Sequence, residues 1–238
     1  ASSIVKGMLE HSRMGTGERA LTDINQLADE YLRLAYHGLR AKDNTFNSDY
    51  QTDFDENLPK IEVIPQDLGR VLLNLINNAF YAVNSPLPPN GGTKKTPLVT
   101  VSTKYITPPL GSDPRRAGGA IEISVRDNGT GIPEEVQSKV FQPFFTTKPV
   151  GTGTGLGLST VYGIVKQSGG CVWVYSEPGV GTTFKIYLPR VAERGEPVAL
   201  TLAGERFAQR FENAGGSWWA RLRRRYSHPS AADVLEAL

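Results

Sequence analysis

Apolar side chains recur every three or four residues in three stretches of the chain, 3–14, about 23–39 and 65–83, which is the pattern of helices with one buried face. Thr22 or Asp23 can cap the second helix, Pro65 and Pro133 can open the third and fourth, and Gly169 can end the fifth. The predicted helices are residues 3–14, about 23–39, 65–83, about 133–140 and about 156–167.

Short stretches bounded by turn residues, several of them alternating between apolar and polar side chains, predict strands. These are residues 46–54, 61–64, 99–106, 121–125, 172–175 and 183–188. Helices and hairpin-linked strands are mixed along the chain. We therefore expect an α+β fold, a two-layer sandwich in which helices cover one face of a mixed, mostly antiparallel sheet.

Charge divides the chain near Pro189. The 238 residues carry a net charge of +2, but residues 1–189 balance 18 basic against 18 acidic side chains, whereas residues 190–238 carry 8 Arg, no Lys and 6 acids. We predict a main domain at 15–189, preceded at 1–14 by the end of a helix from another unit. The Arg-rich remainder is expected to be poorly ordered, either a basic patch for an acidic partner or a non-native extension. The neutral main domain disfavours nucleic acid as a partner.

Compartment is constrained by two observations. No apolar run approaches the roughly 20 residues that a membrane-spanning helix needs, and no secretory signal pattern is present. The single cysteine, Cys171, excludes an internal disulfide and suits a reducing compartment. We expect a cytoplasmic domain, and membrane anchoring through an upstream segment stays open.

The segment 127–133, DNGTGIP, directly follows a predicted strand. A carboxylate at a strand end, followed by two glycines, can meet the polar edge of a ligand while the backbone comes close to it. Asp-Asn-Gly is also ordinary hairpin-turn chemistry, so this segment alone leaves a simple turn open.

A glycine-rich run, GTGTGLGL at 151–158, precedes a predicted helix. Glycines let backbone N–H groups point at an anion, and a helix N-terminus adds a partial positive charge, so the run predicts a phosphate-binding loop. It is neither a P-loop nor a dinucleotide fingerprint. The alternative is a flexible linker, which the regular placement of Leu156 and Leu158 between glycines disfavours.

Asn74 and Asn78 stand four residues apart in an otherwise apolar helix, which places both amides on one face. Asparagine is a poor residue for a helix interior, so two on one face require a reason. Amide oxygen is a hard ligand suited to Mg²⁺, and capping or polar core asparagines are the alternative.

Five segments in this order resemble the histidine-kinase branch of the ATPase family that also includes gyrase-type topoisomerases, MutL and heat-shock chaperones. The family's asparagine box, first glycine box, phenylalanine box, second glycine box and closing strand resemble 67–83 (DLGRVLLNLINNAFYAV), 127–133 (DNGTGIP), 141–148 (FQPFFTTK), 151–170 (GTGTGLGLSTVYGIVKQSGG) and 179–189 (GVGTTFKIYLP). The resemblance covers roughly residues 1–189. It implies the Bergerat ATP-binding fold, with ATP as the nucleotide and Mg²⁺ as its cofactor.

The resemblance also implies roles for single residues. Asp127 would accept a hydrogen bond from the adenine amino group, and the Thr182 hydroxyl would support both. Asn78 would bind Mg²⁺, and Lys148 would pair with the terminal phosphates unless it is only a solvated lysine. The implied nucleotide-binding residues are Asn74, Asn78, Tyr81, Asp127, Gly129, Gly131, Ile132, Thr147, Lys148, Gly153, Thr154, Gly155, Leu156, Gly157, Leu158 and Thr182, with Asn74, Asn78 and Lys148 catalytic.

Two positions distinguish branches of this family. Hydrolytic relatives carry a water-activating glutamate where this chain has Asn74, and an amide is not a useful general base. Many sensor kinases carry a phosphate-binding lysine where this chain has Tyr81, which leaves that role to Lys148 or to no residue.

A short lid between Phe145 and Gly155 resembles the nitrogen-regulator type of sensor kinase. It is expected to open and close around nucleotide. Phe141, Phe144 and Phe145 are expected to fix the base of this lid to the core.

No histidine of the chain fits the acceptor pattern of the family, in which an acid, a hydrophobe, a basic residue and a nearby proline follow. The three candidates are His11, His37 and His228. The resemblance therefore implies that 1–14 end the second helix of a dimerisation hairpin and that the acceptor histidine lies upstream of Ala1.

The resemblance predicts the ATP-binding catalytic domain of a sensor histidine kinase. It would transfer the γ-phosphate of ATP to a histidine on the hairpin domain, for relay to the receiver domain of a response regulator, within a homodimeric full-length protein. A regulatory nucleotide-binding module without kinase activity is one alternative, which Tyr81 favours. An ATPase of the gyrase or chaperone type is another, which Asn74 disfavours.

Overall fold

The computed structural model describes residues 17–86, 96–107, 119–149 and 153–190. The predicted helix at 3–14, His11, His228 and the predicted tail beyond Arg190 lie outside these ranges. The elements in chain order are β1 (Ala20–Thr22), α1 (Ile24–Lys42), β2 (Asp49–Asp53), β3 (Ile61–Val63), α2 (Pro65–Asn84), β4 (Leu98–Ile106), β5 (Ala120–Asp127), α3 (Glu134–Gln137), α4 (Gly157–Gln167), β6 (Cys171–Glu177) and β7 (Gly181–Pro189).

A five-stranded sheet forms one layer, with the strand order β2-β4-β5-β7-β6. Every neighbouring pair is antiparallel except β2 and β4, which run parallel. The prediction of a mixed, mostly antiparallel sheet is therefore confirmed. Its centre is β5, whose residues alternate little in burial because both faces of the strand are largely covered.

Helices α1, α2 and α4 form the second layer, and their apolar faces share one core with the sheet. The centre of that layer is α2, where Leu72, Ile76 and Phe80 have no exposed surface. Gly69 lets the Tyr31 ring of α1 come close to the backbone of α2, because a β-carbon there would overlap that ring. In the described ranges, no helix combines the length and hydropathy that crossing a membrane requires.

The strand β1 is an addition to the predicted set, and it changes the place of β3. These two strands pair antiparallel in a small separate sheet, so the strand predicted at 61–64 does not join the main one. Three residues are too short for a periodic signal, and Leu21 in the middle of β1 is 67% exposed.

The helix predicted at 133–140 is correct only in its first part, since α3 ends at Gln137. Beyond it the chain continues in tight turns, in which Lys139 and Gln142 donate backbone hydrogen bonds three residues back, to Val136 and Lys139. These i→i+3 bonds replace the i→i+4 ladder over the last three predicted positions, so Pro133 correctly marked the start of the helix but the predicted end was too late.

Candidate nucleotide-binding site

Three residues in register across the sheet form the buried end of the site. Antiparallel pairing places Asp127, the last residue of β5, opposite Thr182 on β7, and Thr182 opposite Ser176 on β6. Oδ1 of Asp127 accepts hydrogen bonds from the backbone N–H groups of Gly129 at 2.9 Å and Thr182 at 3.2 Å. Thr182 thus contacts Asp127 directly through its backbone amide, while its hydroxyl lies 2.9 Å from that of Ser176.

Burial determines the charge behaviour of Asp127, which is only 5% exposed. Desolvation raises the pKa of the carboxyl to about 6, although the N–H groups of Gly129 and Thr182 act to lower it. The group is therefore mostly ionised at pH 7, in a site where carrying a charge is costly. A strongly perturbed carboxyl at a strand end is a feature of functional sites.

The loop after β5 lies against two backbones, which explains its glycines. A β-carbon on Gly129 would lie 2.5 Å from the carbonyl carbon of Ala82 in α2. Gly131 has a φ of +70°, and a β-carbon there would overlap the carbonyl of Glu177 at the end of β6. Asn128 fixes the loop to the start of β4, because its Oδ1 accepts from the N–H of Leu98 at 2.9 Å.

Ser176 and Gln137 organise this end of the site, and the sequence interpretation missed both. The hydroxyl oxygen of Ser176 accepts from the N–H of Ile132 at 2.7 Å and lies 2.9 Å from the hydroxyl of Thr182. Nε2 of Gln137 donates to the carbonyls of Ile132 at 2.7 Å and of Ser176 at 3.1 Å. No local signal identifies either residue, since their importance arises from strand register and from the packing of α3.

Asn74 and Asn78 lie on the same face of α2, as predicted. Nδ2 of Asn74 donates to the carbonyl of Arg70 at 2.9 Å, and its Oδ1 is directed towards Gly157, where a β-carbon would lie 2.8 Å away. Oδ1 of Asn78 accepts from Nζ of Lys148 at 2.9 Å. The two amides therefore face Lys148 and the start of α4.

Lys148 contacts α2 from 70 residues further along the chain and is not a freely solvated lysine. Its Nζ lies 4.2 Å from the centre of the Tyr81 ring, in addition to its bond with Asn78. Partial burial lowers the pKa of the ammonium below its usual value. Tyr81 itself is 43% exposed.

The glycine-rich run ends in a tight turn that is anchored to the core. Gly155 has a φ of +69°, and Leu156 and Leu158 pack inwards, Leu156 being buried and Leu158 lying against the main core. The inward leucines exclude a flexible linker for 153–158. Gly153 lies beside Lys148, whereas Thr147 and Thr154 are exposed.

Of the three phenylalanines expected to fix the base of the lid to the core, only some do so. The Phe141 ring meets Phe184 of β7 edge to face at 6.3 Å and Tyr162 of α4 at 5.8 Å, so it fixes the base of the loop to the core. Phe144 does not, because its side chain is 59% exposed. Phe144 has a φ of +65°, and its backbone lies directly against Gly155. Phe145 is half-buried.

A metal ion at this site would depend on few protein ligands. Among the described residues, no cluster of three or more His, Cys, Asp or Glu is placed to hold one. Asn78 fits Mg²⁺, because its Oδ1 is a hard oxygen that already accepts from a cation, the Lys148 ammonium. Mg²⁺ commonly combines few protein oxygens with phosphate oxygens and water.

Comparisons with known proteins show the family of the chain. Residues 64–192 match the family described as histidine kinase-, DNA gyrase B-, and HSP90-like ATPase. The chain is 39% identical over 202 residues to the sensor kinase CckA of Brucella abortus and 34% identical over 177 residues to the sensor histidine kinase ZraS of Escherichia coli. These alignments cover 81% and 74% of this chain, but only 19% and 32% of the two relatives.

A solved structure shares the same fold. The nucleotide-free catalytic domain of histidine kinase ThkA aligns with a TM-score of 0.53 and 28% identity, over 73% of this chain and 96% of that one. The matched residues contain α2, β5, α4 and β7, which carry the site described above. The chain therefore belongs to the family of histidine kinase-, DNA gyrase B- and HSP90-like ATPases.

Proposed function

We propose that this chain is the ATP-binding catalytic domain of a sensor histidine kinase. One observation carries the proposal: three segments from elsewhere in the chain contact one face of α2 at successive turns. The start of α4 lies at Asn74, Lys148 at Asn78, and Gly129 at Ala82. Eight helical residues span about 12 Å, so this face runs from a buried carboxylate to a helix N-terminus over roughly the length of a nucleotide.

Asp127 recognises adenine in this proposal. Its Oδ1 is held by two backbone N–H groups, so Oδ2 is available to accept a hydrogen bond from the adenine amino group. Gly129, Gly131 and Ile132 form the adjoining backbone, which the Ser176 hydroxyl holds in place through the Ile132 N–H. A carboxylate cannot donate while ionised, and this favours adenine over bases that present an acceptor there.

The phosphates lie at the other end of α2. The N-terminus of α4 and the N–H groups of 153–158 suit phosphate oxygens, and Thr147 and Thr154 are exposed beside them. Lys148 pairs with the terminal phosphates, and Asn78 holds Mg²⁺. When bound, the metal neutralises phosphate charge.

Asn74 favours transfer to a protein over hydrolysis. It occupies the position where hydrolytic relatives carry a glutamate, and its amide cannot take a proton from water. ATP is therefore held while the acceptor histidine of a hairpin domain approaches its γ-phosphate. The names of the relatives support the sensor-kinase role. Relay to the receiver domain of a response regulator, homodimerisation of the full-length protein and a cytoplasmic location complete the proposal.

Two assays on the same preparation test the proposed function. Labelled γ-phosphate is followed onto a supplied hairpin phosphotransfer domain, and steady-state release of free phosphate is measured without it. We expect label on the hairpin histidine and slow release. Tight ATP binding without label on any hairpin indicates a regulatory module instead, and rapid release indicates an ATPase.

A further inference from the structure

The Lys148 ammonium lies between two unlike partners. It donates to Oδ1 of Asn78 at 2.9 Å, and it lies 4.2 Å from the centre of the Tyr81 ring. Asn78 and Tyr81 are three residues apart on α2, so one helix face presents both. The ammonium is partly buried there, which strengthens its attraction to the ring relative to an exposed pair.

These two partners are not equivalent when metal and nucleotide bind. The Asn78 oxygen is the atom proposed to hold Mg²⁺, and a metal at that oxygen excludes the ammonium from it by charge repulsion. The Tyr81 ring attracts the ammonium through its π-electrons, and a ring face is not a ligand for Mg²⁺. The ring can therefore keep the ammonium beside the phosphates after it has left Asn78.

We propose that Tyr81 is a positioning residue that holds Lys148 at the terminal phosphates in the metal-loaded site, an inference that rests on the proposed function. Many sensor kinases carry a phosphate-binding lysine at this position. Here the aromatic ring of Tyr81 takes that place and orients the Lys148 ammonium instead. The prediction is selective: Tyr81 supports recognition of the terminal phosphates and not of adenosine.

The experiment compares the affinities of the chain for a non-hydrolysable ATP analogue and for AMP, both with Mg²⁺. Tyr81→Leu is expected to weaken binding of the analogue about threefold to thirtyfold, as loss of a partly desolvated cation–π contact implies. AMP affinity stays within about twofold of the parent, because AMP lacks the phosphates that Lys148 meets. Tyr81→Phe keeps the ring and is expected to restore most of the affinity for the analogue.

A double-mutant cycle tests whether Tyr81 acts through the lysine. Once Lys148→Met has removed the ammonium, adding Tyr81→Leu should change the affinity for the analogue by less than about twofold. Additive losses, or equal losses for AMP and the analogue, would overturn the inference. Leu34→Ala, at an exposed position of α1, is the control for general effects of the substitutions.

Metal dependence supplies a second, independent readout. In EDTA the ammonium can stay on Asn78, so the effect of Tyr81→Leu should shrink towards none, and an equal effect without metal overturns the proposal. Asp127→Ala separates the two levels of inference. If it leaves AMP binding intact, the proposed adenine site fails, whereas loss of AMP binding with no effect of Tyr81→Leu rejects only the role of Tyr81.

Discussion

The buried carboxyl of Asp127 lowers the free energy of unfolding of the chain at neutral pH. Its folded pKa of about 6 lies above the ordinary value of 3.8, so the folded state binds the proton more tightly than the unfolded state does. Stability contributed by this group is present below about pH 4, is lost as the pH rises towards 6, and stays lost above it. At 1.36 kcal/mol per pKa unit, the cost at pH 7 is about 3 kcal/mol.

Asp127→Asn should therefore stabilise the nucleotide-free chain at pH 7, by up to about 3 kcal/mol, while keeping an oxygen for the N–H groups of Gly129 and Thr182. The gain should be much smaller at pH 4. Urea unfolding at both pH values measures it, with the exposed Asp53→Asn as control. An Asp127→Asn variant that is less stable than the parent at pH 7 contradicts this account of the carboxyl.

Asn78 offers a second prediction at the scale of one side chain. Replacing it by alanine removes the proposed Mg²⁺ ligand, so Asn78→Ala should lower ATP affinity about tenfold or more with Mg²⁺ present and make binding nearly independent of the metal. Asn77→Ala is the matched control, since Asn77 is exposed on the same helix. The measurement is an ATP titration with and without Mg²⁺, and a metal dependence like that of the parent excludes Asn78 as the ligand.

At the scale of elements, the site depends on how closely the loop after β5 approaches α2. A β-carbon on Gly129 would lie within 2.7 Å of three backbone atoms of Ala82 and Val83, and backbone cannot move aside as a flexible side chain can. Gly38 is the matched case without this constraint, because it is exposed in α1 and a β-carbon there meets nothing within 4 Å.

Gly129→Ala should therefore destabilise the chain by about 1–3 kcal/mol and weaken ATP binding, because the overlap displaces the loop from α2. Gly38→Ala should instead stabilise it by up to about 1 kcal/mol, since alanine is the better helix former, and leave ATP binding alone. Chemical unfolding and ATP titration of both variants measure these effects. Equal stability changes in the two variants would show that the close approach at Ala82 is not real.

Sequence patterns predicted those elements best whose signal is local. The spacing of apolar residues located α1 and α2 to within a few residues, because one face of each helix packs on a single core. The glycine stop at Gly169 located the end of α4 equally well. The proline at 133 correctly marked the start of α3, but the helix ends at Gln137 and a series of turns replaces the last predicted residues. Apolar character also misled at Phe144, which is exposed and has a φ of +65°.

Over the whole molecule, what the sequence could not predict is how distant segments meet. Family resemblance suggested Asp127, Asn78 and Lys148 as site residues, but only the fold shows that Lys148 contacts Asn78 and Tyr81. The parallel pairing of β2 with β4 and the hydrogen bonds of Ser176 are likewise invisible locally, since both follow from strand register.

The residues of the proposed site come from both layers of the domain. The proposed adenine contacts come from β5 and β7, and the phosphate contacts from α2, α4 and the loop between α3 and α4. A ligand that joins them stabilises the entire domain, by about 2.7 kcal/mol at 100 times its dissociation constant. At about 2–4 °C per kcal/mol for a chain of this size, Mg²⁺-ATP should raise Tm by roughly 5–10 °C.

The thermal shift becomes informative when it is compared with variants of the two ends of the site. Asp127→Ala should abolish the shift while the variant still unfolds cooperatively, because the adenine end is lost. Lys148→Met should reduce the shift for Mg²⁺-ATP but not the smaller one for AMP, because only the phosphate end is weakened. If a folded Asp127→Ala variant shows the same shift as the parent, ATP stabilises this chain from somewhere other than the face of α2.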